Sequence, residues 1–267
     1  MNETVVRNLN YLCKTYDGLN KLIVSTKNRL AALNPDSEAK HQEEVIAFES
    51  IKGKITRKIE KELSFWPVWT EWMKHIPGVG PFIGGNLILL YYYKFMPMCQ
   101  CGTILEKKDG TFWCSSCKKS VKGDGVTQHK ILERDFENIS SWWHFLGRHV
   151  VDGRMPKRKK GEVVDWSNRG RMITFQFADQ MNRQAPGHPY KSFLLDRKVK
   201  RERTHPEASK GHRLNMAKNE TAKLFLAHFW TIARTLDGKP ITQPYAGTIL
   251  GHTGIIDPFF WKVEEAA

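Results

Sequence analysis

The chain has 267 residues, 40% of them hydrophobic and 26% charged, enough to bury one sizeable core or two small ones. Its 42 Lys and Arg against 28 Asp and Glu leave a net charge of +14, a surplus that favours a polyanionic partner, nucleic acid before an anionic membrane. No apolar run reaches the roughly 18 residues a membrane span needs, and the N-terminus lacks the charged-then-apolar pattern of a signal peptide, so a cytoplasmic protein without a membrane partner is expected.

The elements predicted in chain order are mostly helical. Residues 2–33 form one long helix, since Leu9, Leu12, Tyr16, Leu19, Ile23, Thr26, Leu30 and Leu33 step by three and four like a heptad seam. Asn34–Glu38 stops it, and a second helix over about 38–64 lines up Val45, Phe48, Ile51, Ile55, Ile59 and Leu63. Two seams over residues 1–66 fit an antiparallel hairpin or a coiled coil that builds a homodimer or larger complex through residues 1–64; periodicity leaves both open. Ser64–Lys74 reads as a short aromatic helix, and Leu87–Phe95 as a helix or a strand.

Between them lies "HIPGVGPFIGGNLI", His75 to Ile88. Residues 67–98 have the pattern of a helix-hairpin-helix unit. Gly78 and Gly80 clear the hairpin backbone, Val79 plugs the gap between the helices, and Pro81 suits the first helical position. The free N–H groups over Gly78, Val79, Gly80 and Phe82 then point at a phosphate. The plainer alternative is a tight turn between packed helices.

Four of the five cysteines follow in one short segment, which fits a metal site in a reducing compartment better than a disulfide framework. Cys99 and Cys101 form a C-x-C knuckle, Cys114 and Cys117 a C-x2-C knuckle, and Asp109-Gly110 between them is a hairpin turn. Residues 99–122 therefore read as an inserted ribbon holding structural Zn2+ on four thiolates.

Residues 123–267 read as a basic helical domain, with helices over Ile139–Gly147, Arg171–Arg183, Tyr190–Arg203 and Asn215–Gly238; Phe225, Phe229, Ile232 and Leu236 face the core in the last. Arg148, Arg154, Lys157, Arg158, Lys159, Lys160, Arg169 and Arg171 crowd an irregular stretch. Arg197, Lys198, Lys200, Arg201 and Arg203 follow on a helix. Two basic runs, a glycine hairpin and a ribbon together indicate binding of DNA or structured RNA, through backbone more than bases. Tyr190, His188 and His205 are candidates to stack on bases. No metalloprotease, hydrolase or phosphate-loop motif is present, and Asp152, Asp165, Asp179 and Asp196 are too scattered to suggest a two-metal nuclease.

The hairpin and the basic C-terminal half resemble the C-terminal half of the insertion-sequence transposases that pair a RuvC-like DEDD domain with a serine-bearing C-terminal domain, some of them bridge-RNA-guided recombinases. In that family a coiled coil leads into an "IPGIG" hairpin, an aromatic helix ending in Gly, a basic loop and a Ser-Lys-x-Gly turn that opens a helix. The counterparts here are residues 2–64, Ile76–Gly80, "FENISSWWHFLG" (Phe136–Gly147) and "DWSNRGRMITFQFADQMNR" (Asp165–Arg183), with helices 190–203 and 215–236 as the closing pair. The sequence departs from the family in three ways: the RuvC-like domain is missing, the ribbon is an insertion, and the loop that carries the family's nucleophilic serine, Arg148–Gly161 here, contains none. Ser167, in the later turn, is the one local hydroxyl that could serve as nucleophile. The resemblance thus implies a DNA-favouring binding protein without cutting activity of its own, with two alternatives: a transposase or recombinase subunit working with a separate nuclease domain, or an RNA-binding subunit of a ribonucleoprotein.

Overall fold

A computed structural model describes residues 2–33, 42–108, 111–123, 126, 128–151, 155–158, 161–242 and 256–259. The protein is mainly helical with a small inserted β region. Helix α1 (Glu3–Leu30) is capped by Asn2, whose side chain accepts from the N–H of Thr4 at 2.9 Å, and it carries Glu3 in its first turn and Lys27 and Arg29 in its last, the signs the helix dipole favours. Helix α2 (Gln42–Leu63) returns beside it. Asn8 bonds Glu62, Lys52 bonds Asn20 at 2.6 Å and Lys27 pairs with Glu49 at 2.6 Å. One partner climbs as the other falls, so the two seams meet within one chain as an antiparallel hairpin.

The seam is buried along its length, at Leu9, Leu12, Cys13, Ile59 and Leu63 near its base and at Ile23, Leu30 and Val45 toward the tip. Ile51 and Leu33, also expected in the seam, are exposed. The base also rests on a third helix. Helix α3 (Pro81–Tyr92) fits under the base because Gly85 has no side chain: a Cβ there would come within 2.9 Å of Cys13 Sγ and 3.2 Å of Leu9 Cδ1.

The stretch expected as one aromatic helix before the glycine loop is a π turn (Val68–Trp72) running into a 3₁₀ turn (Met73–His75). Val68, Trp69 and Trp72 of the π turn and Met73 of the 3₁₀ turn are all buried. Leu87–Phe95 is both things the pattern permitted. α3 ends at Tyr92, and strand β1 (Tyr93–Met98) begins at the next residue.

β1 pairs antiparallel with β5 (Gln128–Glu133), Tyr93 opposite Glu133 and Met98 opposite Gln128. Between the far ends of this two-stranded stalk sits an antiparallel sheet of β2 (Glu106–Lys108), β3 (Thr111–Cys114) and β4 (Lys119–Val121). Lys108 lies opposite Thr111; the Asp109-Gly110 turn itself is outside the described residues.

The C-terminal half is built from α4 (Ile139–Phe145), α5 (Asn168–Arg183), α6 (Pro189–Thr204) and α7 (Lys210–Leu236). α5 and α7 start earlier than periodicity indicated, because Ser167 and Ser209 cap them, and Leu236 is exposed rather than buried. Phe177 of α5 stacks on Phe225 of α7 at 3.8 Å between ring centroids, Trp72 reaches the same Phe225 at 5.5 Å, and Tyr91 of α3 meets Trp142 and Phe229 edge-on at 5.2 Å. One hydrophobic cluster thus runs from Val6 to Ala233. It joins the helical hairpin, the glycine loop and the basic half, while the ribbon stands outside it. Among the described residues no helix is long and apolar enough to cross a membrane.

Candidate metal centre and nucleic-acid interface

The stalk brings the two knuckles face to face. The Sγ atoms of Cys99, Cys101, Cys114 and Cys117 all lie within 4.8 Å of one another, with Cys99 to Cys117 at 3.8 Å and Cys101 to Cys114 at 3.5 Å. Local bonds set this spacing. Cys99 N–H donates to Thr103 O at 2.8 Å, Gly102 N–H to Cys99 O at 2.9 Å, and Cys117 N–H to Cys114 Sγ at 3.4 Å. The last is a knuckle's usual support for thiolate charge. Thr103 lies 3.3 Å from the Cys101 sulfur, and its hydroxyl, the largest influence there, pulls that thiol down to about 6. Cys117, surrounded by the other three sulfurs with Cys101 foremost, is pushed up to about 12. Four thiols this close cannot all ionise unless a cation joins them. The cluster is a candidate metal site, and among the described residues no other group of three or more His, Cys, Asp or Glu gathers in this way.

The glycine hairpin is a β-turn with a definite chemistry. Val79 N–H donates to Ile76 O at 3.0 Å, Pro77 occupies the second position and Gly78 the third with φ +87°. That is the type II pattern, which needs a positive φ at the third residue. Val79 and Ile76 are buried, as a plug between helices requires. Gly78 also rests against the C-terminal end of α5, where a Cβ would stand 2.5 Å from Gln184 Nε2 and 2.8 Å from Met181 Cε. The turn is therefore a packing junction, and its other side remains open. Gly80 has nothing within 4 Å of where a Cβ would sit, supplies no side-chain cap to α3, and accepts the helix's first bond from Gly84 N–H at 3.1 Å. The N–H groups just ahead of Gly84 are the unpaired donors of a helix start. Phe82 sits among them, stacked on Tyr16 at 4.3 Å.

Among the described residues, the basic side chains do not form one patch. Arg148 is buried, with Nε on Thr174 Oγ1 at 2.8 Å, Nη1 on Asn219 Oδ1 at 3.0 Å and Nη2 on the Arg171 carbonyl at 3.2 Å. Burial, reinforced by Arg171, pushes it down to about 10. Its donors are used inside the fold, so it ties α5 to α7 rather than reaching a phosphate. Arg169 turns toward α3 and α1, where its Nε donates to Asn86 Oδ1 at 2.5 Å and its Nη1 is 3.7 Å from Asp17. Arg197 lies over the Phe193 ring at 4.6 Å. Lys200, Arg203 and Arg158 are exposed and Lys198 is half-buried; Arg154, Lys159 and Lys160 are outside the described residues.

What does converge is a cleft where α5 and α6 meet the N-terminal part of α7. Lys157, Arg171, Arg201, His205 and His212 line a hollow of about 550 Å³, and Arg171 leads into an adjoining one of about 460 Å³ that ends at Lys218. Arg171 is held by the Pro156 carbonyl and lies over Trp166 at 4.7 Å. Arg201 pairs with Glu220 at 2.6 Å, and Lys218 with Asp179 at 2.8 Å. His212 and Lys218 were not singled out for this role by the sequence, because α7 reaches the cleft only through tertiary packing. Tyr190, a candidate to stack on bases, is fully buried: its hydroxyl donates to His228 Nδ1 at 2.8 Å, while His228 Nε2 faces the Ile256 carbonyl at 2.9 Å and so carries the imidazole proton.

Ser167 caps α5. Its Oγ accepts from Gly170 N–H at 3.0 Å, and its own N–H donates to Phe145 O at 2.7 Å. No protein-family model matches the chain, and no curated protein or solved structure is significantly similar to it.

Proposed function

We propose that this chain binds nucleic acid, DNA in preference, by gripping the phosphate backbone, and that its ribbon is folded around a structural Zn2+. The observation that carries the first part is the cleft. Residues far apart in sequence, Lys157, Arg171, Arg201, His205 and His212, are gathered on one concave surface of a chain with net charge +14, the footprint of a polyanion site. The open N-terminal turn of α3 adds a second backbone contact by the helix-start mechanism. Neither feature reads base edges, so weak sequence preference and strong salt dependence are expected. A relation to the C-terminal half of the RuvC-plus-serine transposases fits the hairpin, and the role is binding without strand cutting, Ser167 serving as a helix cap.

The zinc assignment rests on donor chemistry and spacing. Four sulfurs at about 2.3 Å from one ion stand about 3.8 Å apart in a tetrahedron, close to the 3.8 Å between Cys99 and Cys117 and the 3.5 Å between Cys101 and Cys114, with all four within 4.8 Å. A shell of four thiolates leaves no open position, so the metal would fold the ribbon and take no part in chemistry.

The test is equilibrium binding of the full chain to duplex, branched and single-stranded probes over a salt series. The expected result is a linear fall of log affinity with log salt, steeper on duplex than on single strands, at about 0.9 per neutralised phosphate. Absence of binding to every probe at low salt overturns the reading. Preference for structured RNA would replace DNA as the ligand.

A further inference from the structure

A third hollow, of about 360 Å³, shares no lining residue with the basic cleft. It lies where α1, β1 and the turn into α5 come together, and its walls combine three chemistries. Phe95 offers an aromatic surface from β1. Arg134 has its guanidinium carbon over the Phe145 ring at 4.1 Å and is pinned by Nη1 on the Leu90 carbonyl at 3.0 Å. A guanidinium plane fixed on an aromatic ring is a stacking surface for a nucleobase as well as a charge. The half-buried Asn10 adds a side-chain amide with no hydrogen bond among the described residues, and Lys94 adds an exposed ammonium. Arg169 contributes a guanidinium whose Nη2 is buried without a hydrogen-bond partner. The acid on the rim, Asp165, is already engaged with His144 at 3.3 Å.

We propose that this hollow receives the base of one unpaired nucleotide, stacked between Phe95 and the Arg134 plane, with its edge at Asn10 and its phosphates toward Lys94 and Arg169. The inference rests on the nucleic-acid reading and narrows it: the preferred ligand is a duplex that carries an unpaired nucleotide, not an uninterrupted one. Aromatic side chains, an amide and cations suit this ligand better than an acidic peptide, which brings charge without a planar group. The volume falls at the small end of ordinary ligand pockets and is enough for a single base.

The experiment titrates the full chain with two duplexes of one sequence, one fully paired and one with a single bulged 2-aminopurine. The bulged duplex is expected to bind about tenfold more tightly, as one base–aromatic stack predicts, and its fluorescence to fall on binding. In Lys94→Ala and in Phe95→Leu that ratio should drop toward one and the quenching should weaken; Lys94 is exposed, so its variant keeps the fold. Equal affinity for the two duplexes, without quenching, overturns the pocket and leaves backbone binding standing. Failure to bind either duplex overturns both.

Discussion

Two glycines two residues apart, Gly78 and Gly80, make the sharpest test of what the hairpin does. Gly78 sits at φ +87°, where an L-residue costs about 1–2 kcal/mol. Its new Cβ would press on Gln184 Nε2 at 2.5 Å and Met181 Cε at 2.8 Å. Both are ends of flexible side chains, but Gln184 would have to give up its 3.3 Å bond to the Gln180 carbonyl, worth about 0.5–1 kcal/mol. Gly78→Ala is therefore expected to destabilise by about 2 kcal/mol, a fall in melting temperature of about 4–8 °C. Gly80 differs on every count: φ is −81° and nothing lies within 4 Å of the added carbon. Gly80→Ala should leave stability within about 0.5 kcal/mol, yet it places a methyl group at the open start of α3. If that start holds a phosphate, losing one charge-assisted bond of about 1.5 kcal/mol weakens duplex binding about tenfold. Thermal melting and duplex titration on both variants separate the two roles. Wild-type affinity in Gly80→Ala would refute the phosphate grip and leave the hairpin as a turn; an unchanged melting temperature in Gly78→Ala would refute the strain argument.

Elemental analysis should find one zinc per chain, lost in Cys101→Ser and Cys114→Ser, with affinity falling as pH falls because protons compete for the thiolates. Since the ribbon stands outside the shared core, chelation should leave the far-UV helical signal largely intact; global unfolding on chelation would contradict this. His228 is held neutral by burial, its pKa lowered from 6.5 to about 4. A depressed folded-state value means stability is fully present above about pH 6.5 and is lost as pH falls toward 4, by about 3 kcal/mol in all; denaturant titrations across that window should show the slope, and His228→Gln should flatten it. Ser167→Ala should cost about 1 kcal/mol through loss of the cap, and Ser167→Asp should restore it. A covalent DNA adduct trapped with the wild type and absent from Ser167→Ala would instead make this serine a nucleophile.

Legibility in the sequence followed the distance over which each feature is assembled. The cysteine site was readable because both knuckles and their spacer lie within residues 99–117, and local hydrogen bonds suffice to aim the sulfurs. The long helices were readable from period alone. The exposure of Ile51 and Leu33 was not: both keep the seam spacing, while Ile23, Leu30 and Val45 along the same seam are buried, because spacing gives a face and not which of its positions the neighbouring helix covers. Arg148 and Tyr190 failed for a related reason. Each sits in a basic or polar context along the chain. Each is buried only because Thr174 and Asn219, or His228, arrive from other helices with matching partners. Charge in a sequence counts cations; it does not say which already have acceptors.

That distinction also ranks the residues of the cleft. Arg201 and Lys218 face the carboxylates of Glu220 and Asp179, so a phosphate approaching either must displace an existing pair or share its cation. Arg171 is fixed differently, by a neutral carbonyl and an aromatic face, which orient the guanidinium without cancelling its charge. Positioning by neutral groups leaves the whole charge for the ligand and lowers the entropy lost on binding. Arg171→Gln should accordingly remove close to one full phosphate from the salt slope, about 0.9 on duplex DNA, whereas Arg201→Gln also frees Glu220 to repel the backbone and should cost affinity at low salt more than its share of the slope. Equal effects of the two substitutions on both quantities would mean that the cleft acts as a diffuse positive field, and that the anchoring of Arg171 has no bearing on what it binds.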